Sequence, residues 1–279
     1  MATLFIVSTP IGNLGDLSPR AADTLRAVDR ILAEDTRRTR VLADHAGSTR
    51  PLVSLHAHNE AERVERVLEW LGAGEDLALV SDAGTPLVSD PGARLVRAVV
   101  DAGHTVVPVP GPSAALAALV ASGLPSHGFT FLGFPERKGR ERTRLLQRVA
   151  GAEETVILFE SPQRLVRLLE DLADACGPHR QVSVAREVTK LHEEFVRGTL
   201  EEACGYYRQH PPRGEVSLVV GPAEDGASPG VDLEEEARVL ARELLEEGRK
   251  ASVVAREVAR RLALPRNTAY RIVHEISDA

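Results

Sequence analysis

An α/β fold is predicted by short apolar runs that alternate with amphipathic stretches along the first two hundred residues. The apolar runs are rich in β-branched residues and bounded by glycine, proline or polar residues, as strands are. Most of them lack polar alternation, so we expect both faces of each strand to be covered, as in a largely parallel sheet. With 279 residues, the chain is long enough for roughly two such domains and an appendage.

The predicted elements follow from these patterns and from capping signals. Strands are expected at 4–8, 77–81, 105–109, 129–133, 155–159, 181–185 and 216–220. Helix starts are indicated where a capping oxygen directly precedes a proline, at Ser18–Pro19, Asp90–Pro91 and Ser161–Pro162. Capping-box spacing adds two more, at Asn59 with Glu62 and at Thr199 with Glu202.

Two breaks divide the chain. The segment GPSAALAAL at 111–119 connects the first set of strands to the second, and GPAEDGASPGV at 221–231 has the composition of a linker. The predicted organisation is therefore an N-terminal α/β domain at 1–112, a C-terminal α/β domain at 113–222, a linker at 223–231 and a helical tail with a helix-turn-helix pattern at 232–279.

Composition excludes several classes of protein. Hydrophobic residues make up 43% and charged residues 27%, an ordinary globular balance. No apolar run approaches the roughly 18 residues of a membrane span, and MATLFIVSTP lacks a basic n-region. Cys176 and Cys204 cannot make a disulfide framework, so we expect two small buried residues in helices. A cytoplasmic protein without a membrane partner is expected.

Positive charge is concentrated near the end of a chain whose net charge is −7. Residues 249–271 carry a net +6, which leaves −13 for the rest. Local patches must therefore make any contact with a polyanion. Within the basic segment, Val253, Val254, Val258 and Leu262 are expected to face inward, with the arginines outward.

Three loops have the composition of ligand-binding loops. They are STPIGN at 8–13, VSDAGTPLVSDPG at 80–92 and PVPGPSAAL at 108–116, and each follows a predicted strand. STPIGN is neither a dinucleotide-binding nor a P-loop motif, and an ordinary turn is the alternative interpretation of this loop. Glycine and small residues let a ligand approach the backbone, and open α/β sheets bind ligands at the carboxyl ends of their strands.

An ordered set of motifs carries a family resemblance. LFIVSTPIGNLGDLS, ILAEDTRRTRVL, LHAHNE, ALVSDAGTPLVSDPG, VVPVPGPSAALAAL, GLP, FLGF, FESPQRL and AREVTK occur in this order across residues 4–190, followed by RGEVSLVV. Together they resemble the ribosomal small subunit methyltransferase I family, within the tetrapyrrole methylase superfamily. The similarity covers nearly the whole chain.

The resemblance implies a two-domain, tetrapyrrole-methylase-like (class III) methyltransferase with a small C-terminal helical segment. It implies S-adenosylmethionine bound between the domains, a homodimer, and 2′-O-methylation of a cytidine in 16S ribosomal RNA, which we expect to be met within the assembled small subunit. The cofactor positions implied by matching the superfamily motifs are Pro10, Ala83, Gly84, Thr85, Val88, Ser113, Ala114, Glu160 and Val188.

Displacement of a sulfonium methyl by a ribose hydroxyl requires no metal. His56 and His58 lie on one short segment without a third metal ligand, so no metal site is expected. A nearby carboxylate can take the proton of the hydroxyl, and the candidates are Asp35 in AEDTRRTR and Glu60 in LHAHNE. Stabilisation of a helix N-terminus is the alternative role of Glu60.

Candidate RNA-contacting residues surround the same motifs. Arg37, Arg38 and Arg40 are the candidate phosphate contacts, and the other candidates for substrate binding are His56 and Asn59. The basic segment at 135–144 is a further candidate, with a solvated helix face as the alternative.

Two other functions share parts of this pattern. A tetrapyrrole C-methyltransferase of cobalamin or sirohaem synthesis would have the same fold and cofactor, although its usual first and second loops are replaced here by STPIGN and DAGTPLVSDPG. A non-enzymatic DNA-binding regulator is suggested only by the last fifty residues, and the elaborate ligand loops argue against it.

Overall fold

The computed structural model describes residues 2–56, 58–223, 233–246, 249–262 and 266–277. Two five-stranded sheets form the α/β part of the molecule. The strands of the first sheet are β1 (Thr3–Val7), β2 (Arg30–Ala33), β3 (Leu52–Ser54), β4 (Leu77–Val80) and β5 (Thr105–Val109). The strands of the second sheet are β6 (Phe129–Phe131), β7 (Thr155–Glu160), β8 (Gln181–Arg186), β9 (Glu194–Thr199) and β10 (Val216–Val220).

Helices cover both sheets and form the tail. In the α/β part they are α1 (Pro19–Ala27), α2 (Thr36–Ala46), α3 (Glu60–Gly72), α4 (Ala93–Asp101), α5 (Ala114–Ser122), α6 (Arg140–Ala150), α7 (Leu165–Cys176) and α8 (Leu200–Gln209). In the tail they are α9 (Leu233–Glu246), α10 (Ala251–Arg261) and α11 (Arg266–Ser277).

The first sheet is parallel throughout, with strand order β3-β2-β4-β1-β5. Its alternate residues face opposite layers of helices. Ile31 and Val80 pack with α1 and α2, whereas Leu4 and Leu79 pack with α3 and α4. Because both faces are covered, the strands read as continuous apolar runs, and the carboxyl ends of all five open on one edge.

The second sheet departs from the predicted parallel arrangement. Its order is β6-β7-β10-β8-β9, and only β6 and β7 are parallel neighbours among its pairs. Ile157 and Val219 pack with α5 on one face, and Leu158 and Leu218 pack with α6, α7 and α8 on the other. A strand that is buried on both faces is a continuous apolar run whether its neighbours are parallel or antiparallel. The sequence pattern therefore predicted that helices cover both faces of the sheet, but it could not predict the direction of the strands.

Three strands were not predicted. Two of them, β2 and β3, are short, with four and three residues. β9, with the sequence EFVRGT, is an edge strand whose residues are half-buried or exposed, and it pairs only with β8 in the second sheet.

Three helix starts are confirmed, at Ser18, Asn59 and Thr199, and the first and last of these have the predicted side-chain caps. The Ser18 side chain accepts a hydrogen bond from the backbone N–H of Ala21 at 3.1 Å, ahead of the proline that begins α1. Thr199 and Glu202 form the reciprocal capping box at α8. Each bond satisfies a backbone donor that the first helical turn leaves free.

Three other caps were wrong in detail. The Asn59 side chain turns back, accepting a hydrogen bond from the His56 backbone N–H at 2.8 Å, so it forms no capping box. α4 begins at Ala93, with Gly92 at φ 122° before it, and not at the Asp90–Pro91 pair. Ser161 precedes a short 3₁₀ turn and makes no side-chain cap.

The tail helices share a hydrophobic cluster of their own. Val254 and Val258 are buried and Leu262 packs against the cluster, but Val253 is 47% exposed. The first three are spaced by four residues and share a helix face, whereas Val253 lies outside that stripe, so its predicted inward orientation was wrong. Beyond Ala223, the predicted linker lies outside the described residues.

Cys176 in α7 and Cys204 in α8 are both buried free thiols, as expected. Burial raises the pKa of each thiol. Among the described residues, no helix is both long and apolar enough to cross a membrane.

Candidate active site

The three predicted ligand loops meet at the carboxyl edge of the first sheet. Thr9 and Gly84 exchange two backbone hydrogen bonds, of 2.8 and 3.1 Å. The Thr85 hydroxyl donates to the Pro112 carbonyl at 3.1 Å and lies 3.1 Å from the Ser8 hydroxyl. These contacts connect the loops after β1, β4 and β5 into one surface.

Gly84 shows why the second loop needs glycine. Its φ is +80°, and a Cβ built there would lie 3.3 Å from the Ile11 side chain. A side chain would therefore strain the backbone and crowd the neighbouring loop. The same loop holds Leu87 and Ser89 at φ 72° and 67°, conformations that non-glycine residues adopt rarely and mostly near functional sites.

A cavity of about 400 Å³ lies between these loops and the second sheet. Its walls combine the loops after β4 and β5 with Phe134, Phe159 and the residues around 214–217. Eight of the nine positions that the family resemblance implies for the cofactor line it: Ala83, Gly84, Thr85, Val88, Ser113, Ala114, Glu160 and Val188. The ninth, Pro10, lines an adjoining cavity. The structure thus brings all nine positions to one cleft.

Glu160 is the buried charge of the large cavity. Its side chain has no exposed surface, and its Oε1 accepts hydrogen bonds from the backbone N–H of Ser161 at 2.7 Å and from Arg164 Nε at 2.6 Å. Its Oε2 has no hydrogen-bond partner. A buried carboxylate oxygen without a donor is costly, so this atom is suited to a ligand that donates.

The adjoining cavity, of about 230 Å³, opens beside the first loop. It shares Ile11, Arg38, Asp82, Ala83 and Glu215 with the large cavity and adds Pro10, Gly12, Leu14 and Lys190. Two ion pairs bound it: Arg38 with Asp82 at 3.3 Å, and Lys190 with Glu215 at 3.1 Å. Sequence reasoning identified Arg38 but not the other three charged residues.

Acidic residues cluster where β2 and β4 end. Burial raises the pKa of Asp90, which lines the large cavity. Burial also raises the pKa of Glu34, and the charges of Asp82 and Asp90 add to that effect. Glu34 and Asp82 follow the ends of two neighbouring parallel strands, β2 and β4. The loop that holds Asp82 and Asp90 was identified from the sequence, but these carboxylates were not singled out.

The two predicted catalytic carboxylates are engaged elsewhere. Asp35 caps α2 and pairs with Arg37, whose side-chain and backbone N–H groups lower the pKa of the carboxyl. Glu60 accepts a hydrogen bond from the backbone N–H of Leu95 at 3.0 Å, at the start of α4. Neither lines a cavity. The contact of Glu60 agrees with its alternative role, stabilisation of a helix N-terminus. The helix that it stabilises is α4 and not α3, its own helix.

The predicted substrate-binding residues are divided. Arg38 lines both cavities, while Arg37 is 89% exposed on the outer side of the same helical turn. His56 and Asn59 lie in the loop after the edge strand β3, outside both cavities. Arg142, in the basic segment 135–144, is engaged with Asp171 in a pair that is 11% and 12% exposed, which is a packing role.

No group of three or more metal-ligating side chains is found in the described ranges. Two aromatic side chains, Phe134 and Phe159, line the large cavity with ring centroids 5.5 Å apart. No local pattern predicts this wall, because the two residues come from separate strand ends that meet only in the folded sheet.

Comparison with known proteins gives the fold and the family. The family model of Tetrapyrrole (Corrin/Porphyrin) Methylases matches residues 3–204. Two solved structures share the fold at low identity. One is uroporphyrin-III C-methyltransferase from Thermus thermophilus in complex with S-adenosyl homocysteine, with TM-score 0.56, 23% identity, and coverage of 79% of this chain and 97% of that one. The other is the cobalamin biosynthetic enzyme cobalt precorrin-4 methyltransferase, with TM-score 0.61, 19% identity, and coverage of 78% and 94%.

Full-length relatives are more similar. The ribosomal RNA small subunit methyltransferase I of Synechocystis sp. is 46% identical over 276 residues, 99% of both chains. Its namesake from Bacillus subtilis is 42% identical over 99% of this chain and 94% of its own, and that from Xylella fastidiosa is 47% identical over 96% and 97%. The chain therefore belongs to the ribosomal RNA small subunit methyltransferase I family, within the tetrapyrrole methylases.

Proposed function

We propose that this chain transfers the methyl group of S-adenosylmethionine to the ribose 2′-hydroxyl of a cytidine in 16S ribosomal RNA. The observation that carries the proposal is the cleft itself. All nine positions implied for the cofactor line one pair of adjoining cavities, in a chain whose full-length relatives are named for methylation of small-subunit ribosomal RNA.

The large cavity fits the cofactor in size and chemistry. Its volume of about 400 Å³ lies within the range of small-molecule sites. Glu160 Oε2 needs a donor, and the ribose hydroxyls and the amine of the cofactor are donors. Ala83, Gly84 and Ala114 are small enough for their backbone to approach a ligand. When bound, the cofactor supplies an electrophilic methyl on a positively charged sulfur.

The residues of this chain would act mainly by positioning. The loops are held together by the Thr9–Gly84 and Thr85–Pro112 hydrogen bonds, so the walls of the cleft are fixed before a ligand binds. Fixed walls favour the in-line approach of a hydroxyl to a methyl group, which supplies much of the rate in such a reaction. The apolar side chains of Phe134, Phe159 and Val88 reduce the access of water.

The acceptor RNA is proposed to meet positive charge at the mouth of the cleft and on the tail. Arg38 lines both cavities and Arg37 lies beside it on α2. His56 and Asn59 are proposed as outer contacts beyond β3. Only ten residues of the chain are Phe, Tyr or Trp, which leaves little material for base stacking. Recognition is therefore proposed to depend on RNA shape and backbone, within the assembled small subunit in the cytoplasm.

We also propose two α/β domains, at 1–112 and 113–222, because each of these ranges contains one of the two sheets.

We further propose a homodimer, on the basis of the helix α5. This helix is alanine-rich and apolar on all sides. Its inner face packs on the second sheet, while Leu116 and Val120 remain 49% and 78% exposed. A helix that is apolar all round is normally buried, and a second copy would bury this one. Light scattering should give twice the 30.1 kDa mass of the chain, and a monomer would contradict the proposal.

A tetrapyrrole C-methyltransferase is the weaker alternative, since solved structures of that class share the fold at 19–23% identity. One experiment separates the two. Nucleosides of 16S ribosomal RNA from a strain that lacks the gene are compared by mass spectrometry with those of the parent strain. Loss of one 2′-O-methylcytidine supports the proposal. An unchanged nucleoside profile contradicts it.

A further inference from the structure

The two cavities adjoin each other and share part of their lining. Displacement at a methyl group requires the attacking hydroxyl and the leaving sulfur to lie on opposite sides of the carbon. If the cofactor occupies the large cavity, the acceptor must enter from space that adjoins it. The small cavity meets that requirement, because Ile11, Arg38, Asp82, Ala83 and Glu215 line both.

The charges around the small cavity fit a nucleotide. Arg38 and Lys190 offer donors to phosphate or base acceptors, and Asp82 and Glu215 offer acceptors to hydroxyl or amino groups. The Lys190 stem packs over the first loop, where a Cβ on Gly12 would lie 2.4 Å from its Cγ. Glycine at position 12 therefore lets the lysine reach the cavity. A site lined by two cations and two anions suits a group with both donors and acceptors.

Asp82 is the carboxylate best placed to act on the acceptor. Its Oδ1 accepts a hydrogen bond from the Asp35 backbone N–H at 3.0 Å, and its Oδ2 lies 3.3 Å from Arg38. The side chain is 24% exposed, so it is fixed yet open to the cavities. Asp90 lines only the large cavity, and Glu215 is 69% exposed and held by Lys190.

We propose that the small cavity is the acceptor-nucleotide subsite and that Asp82 is the general base. The inference rests on the proposed function. The 2′-oxygen forms a bond to the methyl carbon, the carbon–sulfur bond breaks and its electron pair stays on sulfur, and the hydroxyl proton passes to the Asp82 carboxylate. The Asp35 backbone N–H and Arg38 then have a positioning role, since both hold the carboxylate.

The test is Asp82→Asn in the full-length protein, assayed with small subunits lacking the modification and labelled S-adenosylmethionine. Asparagine keeps the oxygen that accepts from Asp35 but cannot take a proton. The single-turnover rate should fall about 10²- to 10⁴-fold. The cofactor Kd should stay within about twofold of the wild type.

Asp76→Asn is the matched control. Asp76 lies at the other end of β4 and accepts a hydrogen bond from the Thr3 backbone N–H at 2.7 Å, so the change is chemically the same but remote from the cleft. Its rate should match the wild type. A single-turnover rate for Asp82→Asn within about threefold of the control contradicts the assignment of Asp82 as the general base. A lower rate that is fully explained by weaker cofactor binding contradicts it as well.

The subsite has a test of its own, which does not depend on Asp82. Leu14 lines the small cavity and not the large one. Leu14→Trp should block methylation and weaken competition by the subunits while leaving the cofactor Kd unchanged. Normal methylation by Leu14→Trp would contradict the proposal that the small cavity binds the acceptor nucleotide. A wild-type protein that methylates no RNA would instead refute the proposed function.

Discussion

The Arg38 guanidinium and the Asp82 carboxylate lie 3.3 Å apart, joining the first turn of α2 to the loop after β4. Both residues line both cavities, so this ion pair forms part of the boundary between the proposed cofactor and acceptor sites. The pair is 69% and 24% exposed, and its contribution to stability is expected to be small. Its position points instead to a role in the cleft.

Filling the large cavity should prevent cofactor binding. Ala114 is the first residue of α5 and lines the cavity, and Ala93 is the exposed first residue of α4 outside it. Ala114→Trp should lower the affinity for S-adenosylmethionine by at least a hundredfold, because the indole occupies the ligand volume. Ala93→Trp should bind normally. Calorimetry giving wild-type affinity for Ala114→Trp would refute the placement of the cofactor.

Glu160→Gln should weaken the binding of the cofactor without abolishing it. The Ser161 N–H and Arg164 both donate to Oε1, which forces the glutamine oxygen to that side and places its NH₂ at the free Oε2 position. A ligand donor would then face a donor, and the Kd should rise about tenfold or more. Asp171→Asn removes another arginine-paired carboxylate, which is partly buried and lies outside the cleft. It should cost stability only, and equal losses of affinity in both variants would contradict the assignment.

Asp90 should make stability depend on pH in a defined direction. Burial raises the pKa of its carboxyl in the folded state, so ionisation disfavours folding. Stability linked to this group is fully present below the unfolded pKa, about 3.9, and is lost as the pH rises through the folded value. Asp90→Asn removes the charge and should be more stable than the wild type at pH 7. The gain should shrink toward pH 4. Urea unfolding that shows a gain independent of pH would contradict this cause.

The tail should contribute RNA affinity and no cofactor affinity. Lys250 and Arg256 are exposed on and beside α10, and cations on RNA phosphates release counterions. Reversing both charges to glutamate should weaken subunit binding and reduce its salt slope by about 0.7 per lost phosphate contact. Arg97→Glu, on the exposed face of α4, is the control. Unchanged binding and slope in the double variant, and in a chain ending at residue 231, would mean that the tail only packs.

Much of the fold was predictable because its determinants are local. Apolar runs mark seven of the ten strands in the described residues, and the side-chain caps predicted at Ser18 and Thr199 are confirmed. Strand direction in the second sheet was not, since burial on both faces looks the same in either orientation. The cleft residues Asp82 and Lys190 are 108 positions apart and meet only through the packing of two sheets. No local pattern marks such a pair.

Labelled S-adenosylmethionine incubated with the protein and unmodified small subunits, followed by nucleoside analysis, tests the central claim most directly. Label should appear in a single 2′-O-methylcytidine, at a rate far above that on a short naked RNA of the same sequence. Label on a base carbon or nitrogen, equal rates on the two substrates, or label only in an added tetrapyrrole would contradict it.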